Sequence, residues 1–283
     1  MEKIVVIGLG LIGGSLALDL KKKPNRTVIG IDASKENIQK ALELQIINKI
    51  GSFSDISNAD IVIISVPINA IPKLTEQVLD NCTENTLVFD VGSVKDNVCN
   101  AVKNHKNRKN FVAAHPIAGT EFSGPEAAFN GLFTEKTVII CEANLSDVAI
   151  LERAKQLFDE LEMKTTYMGA KAHDKHIAYV SHLSHISSFM LGKTVLEIEP
   201  DEENIFNMAG SGFKSTVRLA KSSPAMWTPI FVQNKENVLK SLNEYIKNLE
   251  TFKELIENDE SDEIYAIMQN TNRIKNILNG IIN

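Results

Sequence analysis

His115 closes the apolar run Phe111-Val112-Ala113-Ala114 and is followed at once by Pro116-Ile117-Ala118-Gly119-Thr120. A short apolar run of this kind reads as a buried strand, so the imidazole is expected at the strand's carboxyl end, beside a loop. In an open α/β sheet, small ligands bind at that edge. An imidazole titrates near neutral pH and can take or give a proton there. The chain also begins with Gly8-Leu9-Gly10-Leu11-Ile12-Gly13, set between a β-rich run and a helical one. That arrangement offers the same edge to a dinucleotide. A base beside a nicotinamide points to hydride transfer. On position alone a second reading of His115 stays open: a strand-capping histidine that bonds loop backbone.

The glycine turn has a physical reason at each position. Gly8 permits the tight turn, Gly10 lets backbone approach a pyrophosphate, and Gly13 lets the following helix pack close to the strand. The first helical residues, Leu11 and Ile12 among them, present free N–H groups and a partial positive charge to phosphate. Asp32 ends the next β-run about 20 residues on, where a carboxylate accepts ribose hydroxyls. It would also repel a 2′-phosphate, which favours NAD over NADP, with Lys35 nearby as the opposing charge. Gly8, Gly10, Leu11, Ile12, Gly13 and Asp32 are therefore the expected cofactor contacts. An ordinary βα turn is the alternative for the glycines alone.

Four histidines, His173, His176, His182 and His185, raise the question of a metal. On one continuous α-helix they fall at about 0°, 300°, 180° and 120°, so at most two face a common point. No H-E-x-x-H pattern accompanies them, and no metal site is expected. His182 and His185 are one turn apart, so either could reach a cleft, although a structural histidine is the plainer reading of each. Further on, Gly210-Ser211-Gly212-Phe213-Lys214-Ser215-Thr216-Val217-Arg218 sets small residues before two cations. Arg218 could grip a carboxylate through two parallel bonds. A surface salt bridge is the competing reading.

The elements that must hold these side chains follow from periodicity. Strands are expected at Ile4–Ile7, Val28–Ile31, Ile61–Val66, Leu87–Val91, Phe111–Ala114 and Thr137–Cys141, with an edge strand at Thr165-Thr166-Tyr167. Amphipathic stretches near 12–22, 34–45, 69–81, 94–104 and 146–161 lie between them. This alternation implies an α/β, Rossmann-like doubly wound sheet covered on both faces. After Gly169 the pattern becomes helical throughout, beginning with one long helix from Ala170 to about Ile198. Val238, Leu242, Tyr245, Leu249, Phe252 and Ile256 form a heptad-like stripe, and Ile264, Ile267, Met268, Ile274, Ile277, Leu278 and Ile281 repeat it. Such stripes are more often an intramolecular helical core than a partner site. Here there is more apolar helix surface than one small domain needs, so burial across a dimer stays open beside that reading. The division is a sheet domain over residues 1–168 and an all-α domain over 169–283.

Composition sets outer bounds. The 283 residues are 43% hydrophobic and 23% charged, ordinary values for a soluble globular protein. A net charge of −6 argues against nonspecific nucleic-acid binding. The longest apolar runs are too short to cross a bilayer, and residues 1–8 read as a strand rather than a signal peptide. Three cysteines, odd in number and without pattern, suggest neither a disulfide framework nor a metal knuckle. A cytoplasmic protein with no membrane or nucleic-acid partner is expected.

With these elements in place the chain resembles the prephenate dehydrogenase family over nearly its whole length. The resemblance rests on Gly8-Leu9-Gly10-Leu11-Ile12-Gly13-Gly14-Ser15, Val91-Gly92-Ser93-Val94-Lys95, His115-Pro116-Ile117-Ala118-Gly119-Thr120-Glu121, Val180-Ser181-His182-Leu183-Ser184-His185, and Gly212-Phe213-Lys214 through Arg218-Leu219-Ala220. The first motif is shared by many dehydrogenases; the other four, in this order, are specific. The resemblance implies a Rossmann domain followed by a helical domain that forms a homodimer. It implies NAD-dependent oxidative decarboxylation of prephenate to 4-hydroxyphenylpyruvate, in tyrosine biosynthesis.

Residue by residue, the resemblance makes His115 the group that bonds the ring hydroxyl and takes its proton. Ser93 helps to position it. His185 and Arg218 contact substrate, the arginine through a carboxylate. Thr120 and Glu121 belong to a loop closing over the site, and Trp227 lies in the matching segment after Arg218. Ser215 departs from the acidic residue often found there in the family. Some relatives carry an added regulatory or mutase domain, which this chain is expected to lack, so feedback by tyrosine would act at or near the active site. The nearest alternative is an arogenate dehydrogenase, which runs the same chemistry on an amino-bearing substrate. A noncatalytic NAD-binding sensor, or a β-hydroxyacid dehydrogenase using Lys214 as base, are more distant ones.

Overall fold

The computed structural model describes residues 1–198 and 204–282. The chain divides into two compact units, Met1–Lys235 and Glu236–Asn283. The first holds an eight-stranded sheet: β1 (Glu2–Ile7), β2 (Arg26–Ile31), β3 (Lys49–Ile50), β4 (Ile61–Ile64), β5 (Leu87–Asp90), β6 (Phe111–Pro116), β7 (Thr137–Cys141) and β8 (Lys164–Met168). The spatial order is β3-β2-β1-β4-β5-β6-β7-β8, and every pair is parallel except β6 with β7. From β1 the chain winds outward in both directions, so the crevice between the carboxyl ends of β1 and β4 is the topological switch point.

Period-two alternation sorts the strand residues between two cores. Val6, Val28, Ile63, Phe89, Val112 and Ala114 join one cluster, while Val5, Ile29, Val62, Val88, Phe111 and Ala113 join the other. Strands buried on both faces need near-continuous Val and Ile, which is what β1 and β4 contain. The rhythm sets Phe111, Ala113 and then His115 on the face of β6 that also packs Ala170, Trp227 and Ile230.

Helices α1 (Leu11–Leu20), α2 (Lys35–Glu43), α3 (Ile71–Asn81), α4 (Asp96–Val102) and α5 (Val148–Glu160) fall where the periodicity places them. Ser34 caps α2 by accepting the Asn37 N–H, and Asp147 caps α5 through Ala149. Strand β6 runs two residues past the expected end at Ala114. Its antiparallel pairing with β7, His115 to Ile139 and Pro116 to Val138, carries the ladder on. Two-residue β3 was not expected, because too little apolar pattern marks it.

The long helix expected from Ala170 to Ile198 is divided. It comprises α6 (Ala170–Ile177), a π-helical turn (Ala178–His182) and α7 (Leu183–Ile198). Beyond it in the first unit come α8 (Ser211–Thr216) and α9 (Pro224–Gln233). The second unit contains α10 (Lys235–Glu257, from its second residue), α11 (Ser261–Thr271) and α12 (Ile274–Ile282). Within it Leu249, Ile256, Met268, Ile274, Ile277 and Leu278 are exposed. The Ile281 side chain of the expected stripe lies outside the described residues. No helix among the described residues is long and apolar enough to cross a membrane.

Candidate active site

The glycine turn leaves one side and a helix N-terminus open, as a dinucleotide phosphate would require. Gly8 has φ +95°, a conformation that L side chains rarely adopt, and a Cβ there would collide with the Ser65 carbonyl at the end of β4. A Cβ on Gly13 would collide with the Gly8 carbonyl, so glycine there lets α1 pack against the turn. A Cβ on Gly10 would meet nothing within 4 Å, so this is the open side of the turn. Gly10 is the N-cap of α1, and no acidic side chain sits in the first turn to compete for the free N–H groups of Leu11, Ile12 and Gly13. Asp32 accepts the Leu9 N–H through one carboxylate oxygen and the Ser34 N–H through the other, each at 2.8 Å. Both oxygens keep acceptor capacity for ribose hydroxyls, so these residues fit a bound NAD.

His115 is 8% exposed. Its Nδ1 lies 2.8 Å from Nε2 of His173 on α6, with the rings edge to face at 71°. His173 Nδ1 in turn lies 2.7 Å from Asp174 Oδ1. Burial holds the His115 imidazole well below its ordinary range, and the surrounding His173, Lys95 and His182 add to the effect. The ring is therefore neutral at neutral pH. Among the described residues no hydrogen bond joins Ser93 to His115; the ring contact comes from His173.

The π turn changes which histidines meet. Its i to i+5 bonding lengthens one turn, so residues beyond it no longer follow the 100° step of a regular α-helix. Two of the four, His182 and His185, share one neighbour in Trp227, while His173 turns to a different one. His173 reaches His115, His182 packs edge-on to Trp227 with centroids 5.9 Å apart, and His185 stacks on Trp227 at 3.4 Å. Only His176 faces solvent. Among the described residues, no group of three His, Cys, Asp or Glu is placed to hold a metal ion.

His185 Nδ1 donates to the Ser181 carbonyl at 2.9 Å, and burial lowers its pKa, leaving Nε2 as an acceptor. Asn234 Nδ2 donates to the Asp174 carbonyl at 2.7 Å and lies 3.2 Å from His182 Nδ1. Burial pushes His182 down to about 4. Trp227 is 7% exposed and belongs to the same core face as β6. Arg218 is more than half exposed, and its Nη1 stands 3.7 Å from Glu121 Oε2. The loop after β6 is thus tied to the segment after α8 by one long ion pair. Thr120 Oγ1 accepts the Phe122 N–H within that loop. Ser215, at the departure from the family pattern, donates to the Gly212 carbonyl.

Several members of this cluster carry no sequence signal of the role they take here. His173 and Asp174 look like two polar residues on an amphipathic helix. Lys95 and Asp90 are five apart at the end of β5, yet both side chains are fully buried, with Lys95 Nζ 2.5 Å from Asp90 Oδ2 and 2.7 Å from the Ala114 carbonyl. The only local hint was Lys95 itself, two residues after Ser93 in a Gly-Ser-Val-Lys run.

A buried imidazole at the carboxyl end of β6, a glycine turn at a helix N-terminus and an exposed arginine lie in one unit. Comparison with known proteins agrees with that assembly. The family model described as prephenate dehydrogenase, nucleotide-binding domain, matches residues 16–167, and the one described as prephenate dehydrogenase, dimerization domain, matches 169–270. The prephenate dehydrogenase of Bacillus subtilis is 32% identical over 269 residues, spanning 93% of this chain and 72% of that protein. A crystal structure of prephenate dehydrogenase from Aquifex aeolicus, in complex with hydroxyphenyl propionate and NAD+, aligns with a TM-score of 0.88 at 33% identity over 98% of each chain. Synechocystis arogenate dehydrogenase aligns with a TM-score of 0.78 at 28% identity, over 98% of this chain and 99% of that one. The chain belongs to the prephenate dehydrogenase family and is an NAD-dependent oxidoreductase.

Proposed function

We propose that the enzyme oxidises and decarboxylates prephenate to 4-hydroxyphenylpyruvate, with His115 as the base. One observation carries the reading most directly. His115 is a buried imidazole, held below its ordinary range, whose Nδ1 is already bonded to His173, so Nε2 is the nitrogen available to a substrate hydroxyl.

Gly8, Gly10, Leu11, Ile12 and Gly13 would hold the cofactor's pyrophosphate, and Asp32 its ribose. The nicotinamide, when bound, supplies a two-electron hydride acceptor. As hydride leaves the ring carbon, the hydroxyl on that carbon becomes far more acidic, and His115 takes its proton. Such a base is typically worth about 10²–10⁴-fold. Carbon dioxide then leaves from the opposite ring position, and its bonding electrons complete the aromatic ring. The proton on His115 returns to the phenolate oxygen, so the base is regenerated without outside acid.

Arg218 grips a substrate carboxylate, with Glu121 as its partner before substrate arrives, and His185 accepts a polar group of the substrate beside Trp227. Thr120 and Glu121 close the loop after β6 over the cleft, and Ser93 orients the reacting groups from the end of β5. The working division is a cofactor-binding region over residues 1–168 and a substrate-binding, dimer-forming region over 169–283. Apolar residues exposed on α10, α11 and α12 support a homodimer through the helical region.

The test is the rise in reduced-nicotinamide absorbance on prephenate and arogenate in parallel, with NAD and with NADP. Turnover on prephenate with NAD is expected. Turnover on arogenate alone would replace the substrate and leave the mechanism intact, and silence on both would overturn the reading.

A further inference from the structure

We propose that His173 and Asp174 are positioning residues that hold His115 in the tautomer with Nδ1 protonated and Nε2 bare. The inference deepens the reading of His115 as a base and rests on it.

The argument starts at Asp174, which is buried on α6. Its Oδ1 accepts the Lys95 N–H at 2.7 Å, and its Oδ2 accepts the Asp96 N–H at 2.8 Å. These two N–H groups open α4, so the carboxylate caps a helix that begins 78 residues earlier in the chain. Oδ1 also meets His173 Nδ1 at 2.7 Å. Donors already occupy both oxygens, and an ionised carboxylate only accepts. His173 Nδ1 must therefore carry the proton.

With His173 taken as the neutral imidazole, its one N–H is spent on Asp174, so its Nε2 is left as an acceptor. The atom facing it at 2.8 Å is His115 Nδ1, which must be the donor. The reverse tautomer of His115 would set two lone pairs against each other in a buried contact. Polarity thus runs one way from the end of α4, through Asp174 and His173, to the ring at the end of β6. Once His115 takes a proton at Nε2, its Nδ1–H still donates to His173. The new cation then lies one ring away from a carboxylate. The same contacts suit the ring before and after proton transfer.

Asn234 steadies the relay from the other side, donating to the Asp174 backbone carbonyl at 2.7 Å.

The direct test is a long-range proton–nitrogen correlation spectrum of the full chain labelled with 15N-histidine at pH 8. The His115 signals are identified by their loss in His115→Asn. A pyrrole-type Nδ1 and a pyridine-type Nε2 are expected. A His115 protonated at Nε2 overturns the inference whatever the activity shows. The kinetic arm compares His173→Leu with His173→Gln. Glutamine can accept the His115 N–H through its carbonyl and donate to Asp174 through its amide; leucine can do neither. His173→Leu should lower kcat about 10²-fold with the KM for NAD unchanged, and His173→Gln should restore most of the loss. Equal losses in the two would assign His173 to packing and overturn the inference. Undiminished turnover in His115→Asn would instead remove the base, while the spectrum still decides the tautomer.

Discussion

Lys95 folds back through the protein interior onto Asp90, and neither side chain of this ion pair reaches solvent. The same ammonium donates to the Ala114 carbonyl, immediately before His115. One buried cation therefore joins the carboxyl ends of β5 and β6, directly beneath the proposed base. The carboxyl of Asp90 is pushed above the usual carboxylate range by burial, against the pull of Lys95. Gly92 donates its N–H to the same carboxylate and turns the chain toward Ser93.

Breaking that pair should be costly, because it leaves an uncompensated charge in the core. Lys95→Met is expected to destabilise the protein by about 3–5 kcal/mol at pH 7, measured by urea unfolding. The loss should shrink toward pH 5.5, as the orphaned Asp90 takes up a proton. Adding Asp90→Leu should recover part of it. A single variant as stable as the wild type would show that the pair contributes nothing to the fold.

His115 is held below its ordinary range, so it stays unprotonated, and competent as a base, at pH values where a free imidazole would already be charged. The pH profile of kcat/KM should therefore remain flat from pH 8 to below about 6.5 before its acid limb appears. An acid limb centred at or above pH 6.5 in the wild type would contradict the buried, neutral ring.

Arg218 is exposed, and its pair with Glu121 is long, so that pair adds little to stability. Arg218→Ala should leave the melting temperature nearly unchanged. Loss of a charge-assisted bond to a substrate carboxylate, about 1.5–3 kcal/mol, should raise the substrate KM about 10- to 100-fold. An unaltered KM would take the arginine out of substrate binding.

His182 has its pKa lowered to about 4 by burial, whereas an unfolded histidine titrates near 6.5. Below the unfolded value the denatured chain binds the extra proton, so stability is full above about pH 6.5 and falls as pH drops toward 4. This one group should cost about 2 kcal/mol by pH 5, seen as a lower urea midpoint. His182→Phe should flatten that part of the dependence. An equal slope in the variant would place the acid sensitivity elsewhere.

Local chemistry was enough to read seven of the eight strands, the glycine turn and the placing of His115 at a strand end. Runs such as Ile61-Val62-Ile63-Ile64 are short, β-branched and apolar throughout, which favours a strand buried on both faces, and Gly8 and Gly13 mark close backbone contacts that only glycine permits. Those signals act within a few residues, so they survive in a one-dimensional string. The exposed apolar stripe of α10 to α12 was legible for the same reason.

What surrounds His115 depended on long-range folding. Its ring partner is 58 residues away, and the carboxylate orienting that partner grips backbone 79 residues away, with neither spacing marked by any motif. The π turn at Ala178–His182 rotates the downstream histidines out of the α-helical phase that their spacing suggests. Periodicity fixes which face of an element is buried. Only packing of β6, α4, α6 and α9 into one core decides which polar groups meet there, and therefore which histidine nitrogen is left bare.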